Sequence, residues 1–239
     1  MKKIDMTHGP IGRKTIRFAL FLALTGMLQQ VFNTIDTIIM GQFVGKEAMA
    51  AVGSNTPIIG FIVTFFIGIS IGANVVISQM TGKKNQEGIH RAVFSTLAFA
   101  LAAGIVMTCL SEAVAEPLLS LLQVPDALMP LSAQYLRIFF LALPGILVYN
   151  FASAIFRSQG DTKTPLLCLA VAGVIKVIIS YTLVIFFQQG VAAVAISTTC
   201  ATLLSSAMLV TILLRSTHVI HLDLKASLLQ QREQRLRDS

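Results

Sequence analysis

Six long apolar runs constrain the fold of this chain more than any other feature of the sequence. They cover about residues 18–40, 56–80, 92–112, 133–156, 166–187 and 191–214. A helix needs roughly 20 apolar residues to cross the hydrocarbon core of a bilayer, so each run is long enough to span it. Because backbone groups in lipid must bond within the protein, the pattern predicts an all-α polytopic membrane protein, a six-transmembrane-helix bundle.

The composition agrees with a membrane protein and argues against a nucleic-acid-binding protein. Charged residues make up 12% of the 239 residues, and hydrophobic residues 55%, whereas a soluble domain carries about 25% charged residues. The net charge is +7, but the basic residues occupy short loops and tails, and no basic helix is interleaved with aromatic residues. We therefore expect contact with membrane lipid and no nucleic-acid partner.

The distribution of lysine and arginine predicts the orientation of the bundle. With the N-terminus inside, all 18 basic residues lie on the inner side except Lys46, Arg137 and Lys176. Basic residues concentrate in cytoplasmic loops, so both termini of this multi-pass protein of the inner cell membrane are predicted to be cytoplasmic. The outer loop at 112–132 carries three acidic residues and no basic residue.

Three regions follow from this layout. Residues 1–17 form a cytoplasmic N-terminal segment, and residues 18–214 form the six-helix transmembrane lobe. Residues 215–239 are read as a cytoplasmic amphipathic tail or a linker between lobes. Pro144 and Gly145 inside the fourth run predict a kink, and the short sequence at 188–190 predicts a tight hairpin between the last two spans.

Charged and polar side chains inside the apolar runs are the candidate functional residues. Asp36 lies near the outer end of the first run and Lys176 lies within the fifth. A charge at membrane depth costs about 2.5–3.5 kcal/mol on insertion scales, so it marks an ion, proton or substrate path. Thr25, Gln29 and Asn33 fall in the same helical sector as Asp36, which predicts a polar face towards a cavity, with interhelical hydrogen bonding as the alternative.

No enzymatic constellation accompanies these residues. The chain has no H-E-x-x-H motif, no G-x-S-x-G motif and no phosphate-binding glycine loop. Cys109, Cys168 and Cys200 lie in separate apolar runs and are predicted to be packing residues rather than metal ligands. We expect no catalytic residues, no metal site and no cofactor.

Several stretches together resemble the multidrug and toxic compound extrusion (MATE) transporters. They are residues 33–45 (NTIDTIIMGQFVG), 48–53 (AMAAVG), 72–74 (GAN), 157–165 (RSQGDTKTP) and 190–196 (GVAAVAI). The resemblance implies a cation-coupled antiporter, driven by H⁺ or Na⁺, that expels organic cations and other amphipathic drugs. It also implies twelve helices in two six-helix lobes, of which this chain would be the N-terminal lobe.

The resemblance also implies a coupling site within this lobe. Asp36, Asn150 and Thr198 retain the residue types of family members that hold a cation or proton here, and Gln29 lies on the same cavity face. Where those members show Asn and, four residues later, Asp, this chain has Lys176 and Ser180.

That departure leads to a specific hypothesis about coupling. Loss of a carboxylate and gain of an ammonium disfavours a sodium site around Asp36. We expect Lys176 to neutralise Asp36, and the pair to open when Asp36 is protonated. A fixed structural ion pair, or Lys176 snorkelling elsewhere, is the alternative. The substrate cavity is predicted to include Thr25, Gln29, Asn33 and Thr202.

Two other functions and three assemblies remain open at this stage. A flippase for lipid-linked precursors has a related architecture, but an anionic headgroup would require a wide basic cavity, and here Asp36 and Lys176 cancel. A non-transporting truncated membrane remnant is the second alternative. The partner is a second six-helix lobe, either the missing C-terminal half or another chain, so a fragment, a split half-transporter and a homodimer are all possible arrangements.

Overall fold

The computed structural model describes residues 11–83 and 86–237, and this part of the chain is almost entirely helical. In chain order the α-helices are α1 (Ile11–Ile39), α2 (Lys46–Gly82), α3 (Gln86–Cys109), α4 (Ser111–Leu121), α5 (Met129–Phe140), α6 (Leu143–Ser158), α7 (Lys163–Ile185) and α8 (Gly190–Arg237). A π-helical turn, Met40–Val44, extends α1.

The described helices supply five candidate membrane spans, or six when one bent helix pair is counted as a span. Five segments are long and apolar enough to cross a bilayer singly: Phe18–Val44, Lys46–Gly82, Arg91–Cys109, Lys163–Ile185 and Gly190–Arg215. Helices α5 and α6 together make a sixth span with a bend of 48°. The prediction of an all-α, six-helix transmembrane bundle is therefore confirmed.

The bend between α5 and α6 lies at the kink predicted from Pro144 and Gly145. Pro144 occupies the first turn of α6 and has no N–H to donate to the Phe140 carbonyl one turn earlier. The Thr108 hydroxyl donates to the Phe140 carbonyl at 2.7 Å, and the Thr199 hydroxyl donates to the Ile138 carbonyl at 3.4 Å. Because lipid offers no donors, the bond from α3 supplies the Phe140 carbonyl with a partner. The bond from α8 adds a second donor to the Ile138 carbonyl, which already accepts the Leu141 N–H at 3.1 Å.

One helix begins earlier than its apolar run, and one segment predicted as an outer loop is mostly helical. Helix α2 begins at Lys46, ahead of the expected start near residue 56, because Gly45 adopts φ 122° and reverses the chain directly after the π-helical turn. The segment at 112–132 contains most of α4 and the first turn of α5. The predicted hairpin is correct, since α7 ends at Ile185 and α8 begins at Gly190.

The described helices pack around three buried apolar clusters, the smallest of which is formed by Ile39, Val184 and Ala193. Helix α1 packs on α7, α7 on α8, α8 on α6, and α6 on both α2 and α3. The larger apolar cluster joins α2, α4, α5, α6 and α8, and a smaller one lies where α6, α7 and α8 approach their other ends. Of the three free cysteines only Cys168 is buried, so the packing prediction is wrong for the exposed Cys109 and Cys200.

The roles predicted for the two end segments, residues 1–17 and 215–239, remain predictions. Residues 1–10 lie outside the described residues, and residues 11–17 form the first turns of α1. Helix α8 continues past the last span to Arg237. The assignment of 215–239 as an amphipathic tail or inter-lobe linker therefore remains a prediction, made for a segment whose described part is helical.

Two glycines allow three helices to cross at the bend. A methyl group added to Gly104 of α3 would overlap the backbone of Pro144. A methyl group added to Gly145 of α6 would lie 2.9 Å from the backbone nitrogen of Leu203 in α8. Side chains of any size at these positions would force the helices apart, so the small residues set the interhelical distance.

We expect Gly104→Ala to destabilise the lobe by about 1–3 kcal/mol, because overpacking forces a rigid backbone contact to open. The matched control is Gly60→Ala in α2, where an added methyl group meets nothing within 4 Å. The control should be neutral or slightly stabilising, since alanine favours helix over glycine. The measurement is the melting temperature of detergent-purified protein; equal shifts for both variants would contradict the close-crossing explanation.

Candidate functional site

Helices α1 and α7 form a parallel pair that carries the candidate site. Four contacts join the two helices, in the same order along both. First, Lys163 Nζ lies 5.4 Å from the centre of the Phe21 ring, and Phe32 then packs on Gly173. Farther along, Asp36 pairs with Lys176, and the rings of Phe43 and Tyr181 meet edge to face with centres 5.9 Å apart. Since the partners advance together, the two spans cross the membrane in the same direction.

The ion pair between Asp36 and Lys176 is the central contact of this helix pair. Lys176 Nζ lies 2.5 Å from Asp36 Oδ2, and the two residues are only 8% and 7% exposed. The predicted neutralisation of Asp36 by Lys176 thus has the geometry of a direct, buried hydrogen-bonded pair. An ammonium and a carboxylate held this way offset part of each other's desolvation cost.

Two polar atoms next to the ion pair remain without partners in the described part of the lobe. Asp36 Oδ1 is buried and accepts no hydrogen bond there, and the Ser180 hydroxyl, one turn beyond Lys176, is fully buried and also unbonded. Buried polar atoms are normally satisfied by protein or ordered water. Asp36 Oδ1 is thus an atom that can receive a proton without first displacing Lys176 from Oδ2.

A close packing contact fixes the position of Asp36. Phe32 lies one turn before Asp36 on α1, and its ring fills the space that a methyl group on Gly173 would occupy. Gly173 precedes Lys176 by one turn of α7, so the aromatic contact and the ion pair lie on the same two helix faces. The missing side chain of Gly173 therefore lets α1 approach closely enough for the pair to form.

Three other predicted coupling or cavity residues donate side-chain hydrogen bonds to backbone carbonyls of their own helices. Asn150 Nδ2 donates to the Ile146 carbonyl at 2.9 Å. The Thr198 hydroxyl donates to the Val194 carbonyl at 2.8 Å, and the Thr202 hydroxyl donates to the Thr198 carbonyl at 2.9 Å. The structure does not bring these half-buried groups into hydrogen-bond contact with the ion pair.

The predicted polar stripe of α1 lies at the edge of the helix pair rather than inside it. Gln29 and Asn33 are exposed, and the half-buried Thr25 donates its hydroxyl to the Phe21 carbonyl at 2.8 Å. Asp36 differs from them because it turns towards α7 and is buried. The exposed amides are accessible from outside this lobe.

Several residues near the site were missed by sequence reasoning. Tyr135 of α5 is buried, and its ring stacks on Phe139 with ring centres 6.1 Å apart. Farther along, the fully buried Asn55 donates to the Ala51 carbonyl at 2.7 Å and to the Ser132 carbonyl at 3.2 Å. The Ser54 and Ser132 hydroxyls are 3.0 Å apart.

The Asn55 network was missed because Asn55 lies just before the apolar run at 56–80 and Ser132 lies in the predicted outer loop at 112–132. Only the recognition that α2 and α5 begin early would have placed Asn55 and Ser132 in the membrane-side core. Elsewhere, among residues 11–83 and 86–237, no cluster of three or more histidine, cysteine, aspartate or glutamate side chains is arranged to hold a metal ion.

Comparison with known proteins places this arrangement in a family. The MatE family model matches residues 22–182. The chain is 30% identical over 217 residues to the probable multidrug resistance protein YoeA of Bacillus subtilis, a match that covers 89% of this chain and 47% of the relative. It is 29% identical over 198 residues to the probable multidrug resistance protein YpnP of the same organism, covering 83% and 44%.

Solved structures have the same fold. A transporter of the MOP superfamily from Pyrococcus furiosus superposes with a TM-score of 0.80 at 20% identity, over 87% of this chain and 46% of that one. The chain thus spans about half the length of the curated relatives and structures that it matches. It belongs to the MatE family of MATE transporters, and its fold is that of one lobe of such a helical membrane transporter.

Proposed function

We propose that this chain is the N-terminal lobe of a proton-coupled efflux antiporter that exports amphipathic drug-like compounds, organic cations among them. The observation that carries the proposal is the buried ion pair between Asp36 and Lys176, which joins two spans at membrane depth. Relatives named as probable multidrug resistance proteins support the direction of transport and the class of substrate.

The ion pair favours a proton over a sodium ion as the coupling ion. Lys176 Nζ already occupies the cation position beside Asp36 Oδ2, so a sodium ion would have to compete with a bound ammonium. A proton instead removes the charge of Asp36 and leaves Lys176 as a buried, uncompensated charge. Breaking a buried pair by removing one partner costs about 3–5 kcal/mol, enough to shift a two-state helix arrangement.

The moving element in this proposal is α1 relative to α7. When Asp36 is charged, the ion pair and the Phe32 contact at Gly173 hold the middle of the two helices together. When Asp36 is neutral, only the apolar and aromatic contacts remain. The exposed Gln29 and Asn33 on the neighbouring edge of α1 would then change their position relative to a substrate.

The proposed transporter needs a second six-helix lobe and a defined orientation. Substrate sites in transporters built from repeats lie at the repeat interface, and one lobe supplies half of such an interface. We place the lobe in the inner cell membrane with both termini cytoplasmic, because the basic residues concentrate on that side.

Lys176→Ala is expected to abolish the pH dependence of transport, because protonation of Asp36 then breaks no ion pair. The measurement is dye export under an imposed pH gradient, in proteoliposomes that contain the lobe in its natural polypeptide or complex. Lys46→Ala, at an exposed position, is the matched control and should behave as the parent protein. A Lys176→Ala protein that retains pH-dependent transport would contradict proton coupling through this pair.

A stability cycle tests the pair itself. Lys176→Met alone should destabilise the protein by about 3–5 kcal/mol because it leaves a buried carboxylate without its partner. The double variant Asp36→Asn with Lys176→Met should recover most of that loss, since no uncompensated charge remains. Melting temperatures of the purified single and double variants give the answer; a double variant as unstable as the single one would rule out a coupled pair.

The requirement for a second lobe predicts the native mass. An antibody against the N-terminal segment should detect in native membranes a polypeptide near twice the 25.8 kDa of this chain, or a complex with a second lobe that co-purifies with it. A monodisperse single lobe, active in transport without any partner, would refute this part of the proposal.

A further inference from the structure

Arg157 at the end of α6 is a half-buried cation whose charge the described part of the lobe does not neutralise. Its Nε donates to the Ser153 carbonyl at 3.1 Å, and Nη2 donates to the Asn150 carbonyl at 3.5 Å. The side chain therefore folds back along its own helix towards Asn150 instead of extending away from the end of α6. No carboxylate of residues 11–83 or 86–237 forms an ion pair with it.

The nearest acidic residue in the sequence is committed elsewhere. Asp161 Oδ1 accepts the backbone N–H groups of Lys163 and Thr164, each at 3.1 Å, and Oδ2 accepts the Thr164 hydroxyl at 2.6 Å. A carboxylate that caps the first turn of α7 is held there by its charge and by these bonds. Asp161 thus serves the helix start and leaves the Arg157 guanidinium without a counter-charge.

Other described basic side chains differ from Arg157 in their surroundings. Arg137 pairs with Glu116 at 2.9 Å, Lys176 pairs with Asp36, and Lys163 lies over the Phe21 ring. Carbonyl oxygens satisfy hydrogen bonds but carry no net charge. A guanidinium has five N–H donors in a planar fork suited to oxyanions, and the two bonds of Arg157 leave donors free.

A second polar group on the same helix face is also unused. Ser153 lies one turn before Arg157, is 4% exposed, and its hydroxyl has no partner in the described part of the chain. Tyr149, one further turn back, donates its hydroxyl to the Pro165 carbonyl at 3.0 Å and ties this face to α7. An unbonded hydroxyl beside a guanidinium that keeps unused N–H donors is a donor set for an oxyanion.

The charge balance of the lobe also favours an anionic ligand over a cationic one near Arg157. Asp36 and Lys176 cancel, so the partly buried charges left over among the described residues near this end of the spans are both positive: Arg157, and Lys163 over the Phe21 ring. A cationic ligand finds no free buried carboxylate there while the pair is closed. An anionic group, by contrast, would meet a cation already partly removed from water, where Coulomb attraction is stronger than at the surface.

We propose that Arg157 and Ser153 form an oxyanion-recognition site that binds the carboxylate, sulfonate or phosphate group of an amphipathic anion. The inference rests on the proposed efflux function and extends its substrate class to anionic amphipaths. The same chemistry fits two sources of ligand, a soluble amphipathic anion and the phosphate of a lipid headgroup.

The test compares two dyes that differ by one sulfonate group, anilinonaphthalene sulfonate and the neutral N-phenylnaphthylamine. Equilibrium binding is measured by fluorescence titration of the natural polypeptide or complex in vesicles of phosphatidylcholine. Arg157→Gln should weaken binding of the sulfonate about tenfold or more, the loss of one charge-assisted hydrogen bond, and should leave binding of the neutral dye unchanged.

Three further variants make the result specific. Lys83→Gln removes the same charge at an exposed position and should change neither dye. Arg157→Lys keeps the charge but loses the planar fork, so it should bind the sulfonate with intermediate affinity. Ser153→Ala removes only the unbonded hydroxyl and should also weaken sulfonate binding, which keeps the test valid if Arg157→Gln does not fold.

The lipid source is separated by adding phosphatidylglycerol to the vesicles. Competition with the sulfonate dye in the parent protein but not in Arg157→Gln supports the site with a lipid headgroup as its ligand. Lack of competition supports the site with a soluble anion. Equal binding of the sulfonate by the parent protein, Arg157→Gln and Ser153→Ala would overturn the proposal.

The experiments test the oxyanion site and the proposed efflux function independently of each other. Binding is measured at equilibrium without a pH gradient, so it reports on Arg157 even if no transport occurs. Conversely, a protein that exports the neutral dye under a pH gradient, but whose sulfonate binding ignores Arg157, would retain the efflux function and lose the oxyanion site.

Discussion

The arrangement of the lobe depends on one buried ion pair between two parallel spans. Asp36 and Lys176 each carry a charge that a hydrocarbon surrounding disfavours by several kcal/mol, and their direct contact removes much of that cost for both. Because the partners belong to α1 and α7, the energy of the pair is also an energy of helix association. In the proposed function, a change of charge on Asp36 would therefore act on the position of a whole helix.

Close backbone approach makes such a pair possible. A carboxylate side chain is short, so α1 must come near α7 before Asp36 can reach Lys176. Gly173 provides the space by accepting the Phe32 ring where a side chain would otherwise stand. Gly104 and Gly145 play the corresponding part for α3, α6 and α8 at the bend. In both places the small residue determines geometry, and the neighbouring polar groups use the proximity that results.

Sequence alone could predict the features that depend on composition along a single helix. The six spans, the bend at Pro144 and the presence of an acid and a base at membrane depth follow from apolar length, proline chemistry and charge. The early start of α2 depends instead on the φ of Gly45 after a π-helical turn, which no apolar pattern encodes. For the same reason, apolar patterns alone could not predict the buried contact between Asn55 and Ser132.

Contacts between helices were even less accessible to sequence reasoning. The 3.6-residue period groups Gln29, Asn33 and Asp36 in one sector, yet only Asp36 is buried against α7. The difference comes from where α1 crosses α7, and that crossing is set by the Phe32 contact at Gly173. Likewise, the sequence predicts Arg157 only as one of the basic residues on the cytoplasmic side. The structure adds that its side chain folds back towards Asn150.

These observations give the lobe an uneven distribution of charge. In the Asn55 network, Asn55, Ser54 and Ser132 are neutral and bonded to one another or to backbone. At the ion pair, opposite charges cancel at rest, and protonation of Asp36 would release one positive charge. At the end of α6, Arg157 contributes a positive charge without a carboxylate partner in the described chain. In this scheme a proton entering at Asp36 would make the interior more positive. An anionic ligand at Arg157 would then stabilise the protonated state, and by linkage the proton would strengthen binding of the anion.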